Sequence, residues 1–164
     1  MKKTFYIFLD IDGVLYDWDY IINEMDSGRM KKGSFIDKFK PESIEALNFL
    51  IREQSKNYNV QLVISSTWRF FMEKTILILK RNGLQYDGPI HSTPISNDQS
   101  KRGEEILSYL KGKTNYDIVI IDDEKFDFKK HFDGSKIIKT EQYHSALSLN
   151  QIKSYIAKNN ELSK

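Results

Sequence analysis

Two aspartates two residues apart, Asp10 and Asp12, stand where the apolar run Thr4-Phe5-Tyr6-Ile7-Phe8-Leu9 gives way to Gly13. In extended chain, residues i and i+2 project to the same side, so both carboxylates can face one point while glycine lets the backbone turn away. Anions this close repel unless a cation lies between them or one takes up a proton. The pattern suits a metal ion and nucleophilic or acid–base chemistry; an aspartate-rich loop is the plainer reading. An EF-hand fits poorly, because the stretch lacks the third oxygen ligand before its glycine and the closing glutamate.

Three later clusters carry similar potential. Ser65 and Ser66 follow Gln61-Leu62-Val63-Ile64 and precede Thr67-Trp68-Arg69. Hydroxyls and free amides there can hold phosphate oxygens or simply cap a helix. Arg69 can bond two oxygens of a phosphate at once, and Trp68 can stack on a base or fill a gap. Lys101 opens a helix expected over 101–110, a mildly unfavourable place for a cation unless an anion offsets it; a solvated lysine is the alternative. Asp122 and Asp123 close the apolar stretch Ile118-Val119-Ile120-Ile121, and adjacent carboxylates there are costly to bury unless a metal or lysine receives them. Asp127 either assists that group or sits in a surface turn.

The elements that must position these residues alternate strand and helix, which predicts an α/β fold with a central parallel sheet covered on both faces. Strands are expected at 4–9, 60–64, 89–93, 117–121 and 136–138. A helix should follow Pro41 with Ile44, Leu47, Leu50 and Ile51 on one face, and another should run over 70–82 and close at Gly83. Within 101–110, Ile106, Leu107 and Leu110 should point inward. In the last helix Ser148 and Gln151 can cap reciprocally, ahead of the stripe Leu149, Ile152 and Ile156. Residues 14–40 read as an irregular flap, 1–158 as one domain, and 159–164 as a frayed tail. In open parallel sheets the ligand crevice lies outside the carboxyl ends of the strands, where each cluster falls.

Composition narrows the alternatives. With 25 basic and 23 acidic residues among 164, the net charge of +2 provides no global field toward nucleic acid, and no stable DNA binding is expected. Local basic groupings occur at Arg29, Lys31 and Lys32, and at Lys129, Lys130 and His131, each most simply solvated surface. The absence of cysteine excludes disulfides, thiolate zinc sites and a cysteine nucleophile, and fits a cytoplasmic location. Lys2 and Lys3 before an apolar run imitate a signal peptide, but Asp10 and Asp12 interrupt that run. No stretch approaches the roughly 20 apolar residues of a membrane span. His91, His131 and His144 are too scattered to suggest a metal site.

Taken in order, the acidic pair, hydroxyl, lysine and second acidic pair resemble the haloacid dehalogenase (HAD) superfamily of phosphohydrolases. Its four motifs match Asp10-Ile11-Asp12-Gly13-Val14, then Ser65 or Ser66, then Lys101, then Asp122-Asp123, over residues 5 to about 125. The resemblance implies a three-layer, Rossmann-like sandwich. Asp10 would attack phosphorus to form an aspartyl phosphate, and Asp12 would serve as acid and then base. Magnesium would be held by Asp10, Asp122 and the Asp12 backbone carbonyl, with Asp123 orienting its waters or Lys101. Ser65 and Lys101 would stabilise the phosphoryl oxygens, with Ser66 as the second choice of hydroxyl.

The short intervals between motifs leave room for a flap and no large cap. An open mouth admits a nucleotide, a polynucleotide end or a phosphoprotein, or a lid lent by a partner subunit. The run Ser65-Ser66-Thr67-Trp68-Arg69 is also similar to the HAD domain of multidomain RNA-repair proteins, which implies that Ser66, Trp68 and Arg69, helped by Lys31 and Lys32, engage a nucleotide or polynucleotide end. Two other readings stay open: a phosphoprotein phosphatase, and a regulatory phosphate-binding module without turnover. A receiver domain is disfavoured because its lysine follows the last strand, whereas here the lysine precedes the second acidic pair.

Overall fold

The computed structural model describes residues 2–31, 37–96, 98, 100–141 and 146–162; Lys32 and His144 lie outside them. In chain order the elements are β1 (Thr4–Leu9), α1 (Trp18–Asp26), α2 (Pro41–Ser55), β2 (Asn59–Ile64), α3 (Met72–Arg81), β3 (Ile90–Ser92), α4 (Arg102–Leu110), β4 (Tyr116–Asp122), α5 (Phe128–His131), β5 (Ile137–Lys139) and α6 (Leu149–Leu162).

Alternate residues of β1 feed two different cores. Phe5, Ile7 and Leu9 join a cluster with Leu47 and Leu50 of α2, Ile78 and Leu79 of α3 and Ile152 of α6. Tyr6 and Phe8 join Ile106 and Leu110 of α4 and Phe128 of α5. A strand apolar at every position needs cover on both faces, which yields a three-layer sandwich. The sheet is fully parallel in the order β3-β2-β1-β4-β5. From β1 the chain builds outward through β2 and β3, then crosses back to place β4 on the other side of β1. That reversal sets the crevice at the carboxyl ends of β1 and β4.

Local chemistry explains most boundaries. Pro41 occupies the first turn of α2, and Ile44, Leu47, Leu50 and Ile51 are all buried. Ser148 and Gln151 cap α6 reciprocally: the Ser148 N–H donates to Gln151 Oε1 at 2.9 Å, and the Gln151 N–H donates to Ser148 Oγ at 3.3 Å. The helix continues through Leu162, past Lys158.

Three elements differ from expectation. The flap contains a regular helix, α1, because Asp17 accepts the Tyr20 N–H at 3.0 Å and so caps it. A 3-10 helix over Thr67–Phe71 precedes α3. Leu107 is 41% exposed; the inward row of α4 is Arg102, Ile106 and Leu110, spaced by four residues each. Among the described residues no helix is long and apolar enough to cross a membrane.

Candidate active site

Asp10 extends the parity of Tyr6 and Phe8, so its carboxylate turns toward the α4 layer. Its N–H donates to Ile121 O at 3.0 Å, which fixes the end of β1 against β4. After Asp12 the chain reverses: the N–H groups of Val14, Leu15 and Tyr16 all reach Ile11 O at 3.2, 2.9 and 3.0 Å. Gly13 makes this turn at φ +68°, and a Cβ there would overlap the Asp123 carboxylate. Glycine is thus required for conformation and for the close approach of β4's end.

The first and fourth motifs meet in space. Carboxylate oxygens of Asp10, Asp122 and Asp123 all lie within 4.8 Å of one another, and all three residues are buried. Burial and mutual repulsion govern their protonation. Burial, partly offset by Arg102, raises Asp10 above the usual carboxylate range. Burial and then the Asp10 charge push Asp122 up strongly. The same two causes lift Asp123 to about 7. Hard oxygen donors around a surplus of buried negative charge fit a magnesium-sized cation. Asp10, Asp122 and Asp123 are the side chains that would hold it.

The cation brought to this cluster is Arg102, not Lys101. Arg102 Nη1 lies 3.3 Å from Asp10 Oδ1 and 3.1 Å from Asp122 Oδ2, and its guanidinium sits 4.4 Å from the centre of the Phe126 ring. Lys101 is half exposed, with its ammonium 3.5 Å from Glu104. Helical spacing is the reason. Arg102, Glu105 and Ile106 share the inward face of α4, while Lys101 and Glu104 share the outward one. The row Arg102-Ile106-Leu110 was the signal in the sequence that identifies the inward cation.

Two further residues, given little or no role from sequence, position α4. Asp127 accepts the N–H groups of Gly103 at 2.6 Å and Glu104 at 3.3 Å, and approaches His131 Nε2 at 3.1 Å. A carboxylate on the open amides at a helix start stabilises that start and holds Arg102 in place. Glu105, also buried, accepts from Arg69 Nη2 and from the Ser96 N–H, both at 2.8 Å.

Arg69 is therefore placed differently from its expected substrate-facing role. It is 8% exposed; its Nη2 donates to Glu105 and its Nη1 to Thr93 Oγ1 at 3.2 Å, while its buried Nε has no partner among the described residues. An arginine buried against a glutamate joins the 3-10 turn to α4.

Trp68 and the serines lie at the site. Trp68 Nε1 donates to both oxygens of Asp12, at 3.1 and 3.0 Å, while its ring packs 5.6 Å from that of Phe39. Asp12 is accessible at its outer edge yet crowded: burial raises its pKa, and the Trp68 bond pulls the other way. Ser65 follows the last paired residue of β2, donates its N–H to Leu9 O at 2.8 Å, and has a buried hydroxyl without a partner among the described residues. Ser66 caps the 3-10 turn by accepting the Trp68 N–H at 3.5 Å, and its hydroxyl works against the rise in the Asp10 pKa.

Tyr16 is buried and meets Trp18 edge-on at 5.1 Å. Both rings belong to the packing of the flap.

Comparison with known proteins supplies the family. A search of curated proteins finds no match. The solved structure of Fcp1, an essential RNA polymerase II CTD phosphatase, is similar at 15% identity and a TM-score of 0.41; the match covers 99% of this chain and 50% of that one. The chain thus spans about half the length of that structure. Residues 6–152 match the family described as the HAD domain in Swiss Army Knife RNA repair proteins, and with nearly the whole fold inside the match the chain belongs to that family.

Proposed function

We propose that this protein is a magnesium-dependent phosphomonoester hydrolase that works through an aspartyl phosphate on Asp10, with a nucleotide or polynucleotide terminal phosphate as substrate. The observation that carries the reading is the meeting of Asp10, Asp122 and Asp123 around one point, with Arg102 beside them and Asp12 held at the rim by Trp68. Family membership supports the reaction class, and the family's description by RNA repair supports the substrate class.

In the first step an Asp10 oxygen forms a bond to phosphorus as the bond to the leaving oxygen breaks, and Asp12 gives that oxygen a proton. In the second, water attacks the same phosphorus and passes its proton to Asp12. The Asp10–phosphorus bond breaks, releasing phosphate and restoring both carboxyl groups. Arg102 holds Asp10 in place and offsets charge near the phosphoryl oxygens. The unpartnered Ser65 hydroxyl is available to a phosphoryl oxygen, which favours it over Ser66, already engaged in capping the 3-10 turn. A divalent cation held by Asp10, Asp122 and Asp123 would neutralise the carboxylates and the incoming phosphate.

The accessibility of Asp12 and the upward shift of its pKa suit a group that must be protonated in one step and ionised in the next. The test is hydrolysis of p-nitrophenyl phosphate with magnesium by the wild type and by Asp10→Asn, followed by nucleotides and 3′- or 5′-phosphorylated oligonucleotides. Turnover lost in the variant supports the reading. A folded wild type that turns over none of these substrates overturns it.

A further inference from the structure

An apolar groove of about 350 Å³ adjoins Asp12, formed by Thr67, Trp68, Phe70, Phe71, Lys74 and Ile78 with little help from elsewhere. Its size falls at the lower end of the roughly 300–1,000 Å³ of small-ligand sites. Phe70 is 51% and Phe71 71% exposed, an unusual outlay of aromatic surface beside a polar site.

The turn that carries these rings is anchored. Arg69 between Trp68 and Phe70 is tied to Glu105 and Thr93, and Thr75 Oγ1 donates to Trp68 O at 2.8 Å. Trp68 belongs to both places: it lines the groove and its Nε1 bonds Asp12. Trp68 thus links the groove to the carboxylate at the rim of the site.

We infer that this groove receives the base of the terminal nucleotide of a single-stranded nucleic-acid end, with Lys74 meeting the adjoining backbone phosphate. The inference rests on the phosphohydrolase reading of the neighbouring carboxylates. Exposed rings on a fixed turn offer stacking surface to any base, and stacking of this kind tolerates sequence. Lys74 is exposed at the rim and forms no ion pair among the described residues, so its charge is free for a phosphodiester. Among the described residues no strand borders the groove, so an extended phosphopeptide would find no sheet edge for its backbone. A duplex end, with its bases stacked and paired, would have to open first.

The experiment compares kcat/KM for a single-stranded hexanucleotide bearing a terminal phosphate with kcat/KM for glycerol 2-phosphate, which has no base. In the double variant Phe70→Ala/Phe71→Ala the ratio of the two should fall about tenfold or more, through KM. In Lys74→Ala the slope of log affinity against log salt for the hexanucleotide should become shallower by about 0.7. An unchanged ratio overturns the inference. So does a loss seen with a phosphoserine hexapeptide but not with the hexanucleotide, which assigns the groove to peptide.

Binding of the labelled hexanucleotide to Asp10→Asn, followed by fluorescence anisotropy, separates the two readings. If wild type hydrolyses nothing, yet the double aromatic change still weakens binding tenfold, the groove stands and the hydrolase reading falls. Hydrolysis with a ratio indifferent to the groove leaves the hydrolase standing and overturns the base site.

Discussion

Arg102 and Asp10 face each other across 3.3 Å, both nearly excluded from solvent, and the same guanidinium nitrogen also reaches Asp122 at 3.1 Å. The inward cation of α4 thus binds the end of β1 to the end of β4. Arg102→Met should lower kcat/KM by about 100-fold or more, the usual cost of removing a preorganised charge stabiliser. Lys101→Met should change it by less than about threefold, consistent with a surface pair. Steady-state kinetics on a nucleotide monophosphate decides between them, and a larger loss in Lys101→Met would reverse the assignment.

The carboxylate cluster should make stability depend on pH and metal. Burial and the Asp10 charge raise Asp123 to about 7, and the same causes push Asp122 well above the usual carboxylate range. A carboxyl whose folded pKa exceeds its unfolded value binds more protons in the folded state, so stability falls as pH rises from the unfolded pKa through the folded one. In EDTA the melting temperature should therefore drop between about pH 5 and pH 7.5. Asp123→Asn should flatten that drop. Saturating magnesium at pH 7.5 should raise the wild-type Tm, by mass action on the folded state. A melting curve indifferent to magnesium would argue against a metal at these residues.

Trp68 sets the acid at the rim. Its indole N–H favours the ionised form of Asp12, so Trp68→Phe should raise the Asp12 pKa further. Because the first step requires Asp12 protonated, the alkaline limb of the kcat/KM profile should move to higher pH. Loss of a hydrogen bond to a charged group, worth about 1.5–3 kcal/mol, should accompany this as a roughly 10- to 100-fold fall in rate. A profile that keeps its alkaline limb would show that the indole does not hold Asp12 in the working enzyme.

Asp127 and Glu105 act on α4 rather than on substrate. Asp127→Ala leaves the Gly103 and Glu104 amides open and should cost about 1–2 kcal/mol of stability, with Asp127→Asn recovering part of it. Glu105→Gln keeps the shape of the contact to Arg69 and Ser96 but removes the charge that balances a buried guanidinium. Breaking a buried pair in this way should cost about 3–5 kcal/mol. Urea denaturation measures both, and equal losses for Asp127→Ala and Asp127→Asn would mean that capping is not what Asp127 contributes.

Strand–helix alternation, the Pro41 start of α2, the reciprocal cap of α6 and the two acidic pairs were legible in the linear chain, because each is written in residues adjacent or nearly so. The unbroken apolar run of β1 and its need for cover on both faces pointed to the parallel architecture. Carboxylates at strand ends declared themselves by their cost. Which of two consecutive cations, Lys101 or Arg102, turns inward was marked in the sequence by nothing but the spacing Arg102-Ile106-Leu110, and the packing of α4 decided it. A shift of one residue rotates a helical side chain by about 100°, and the docking of α4 through Asp127 and Glu105 selects the rotation. Arg69 went the same way: a charge that in sequence suits phosphate is paired in the core with Glu105, far along the chain. Type and order of the chemistry were determined locally, and the identity of the charge that serves it was decided by tertiary packing, since only packing states which side chain is left facing which.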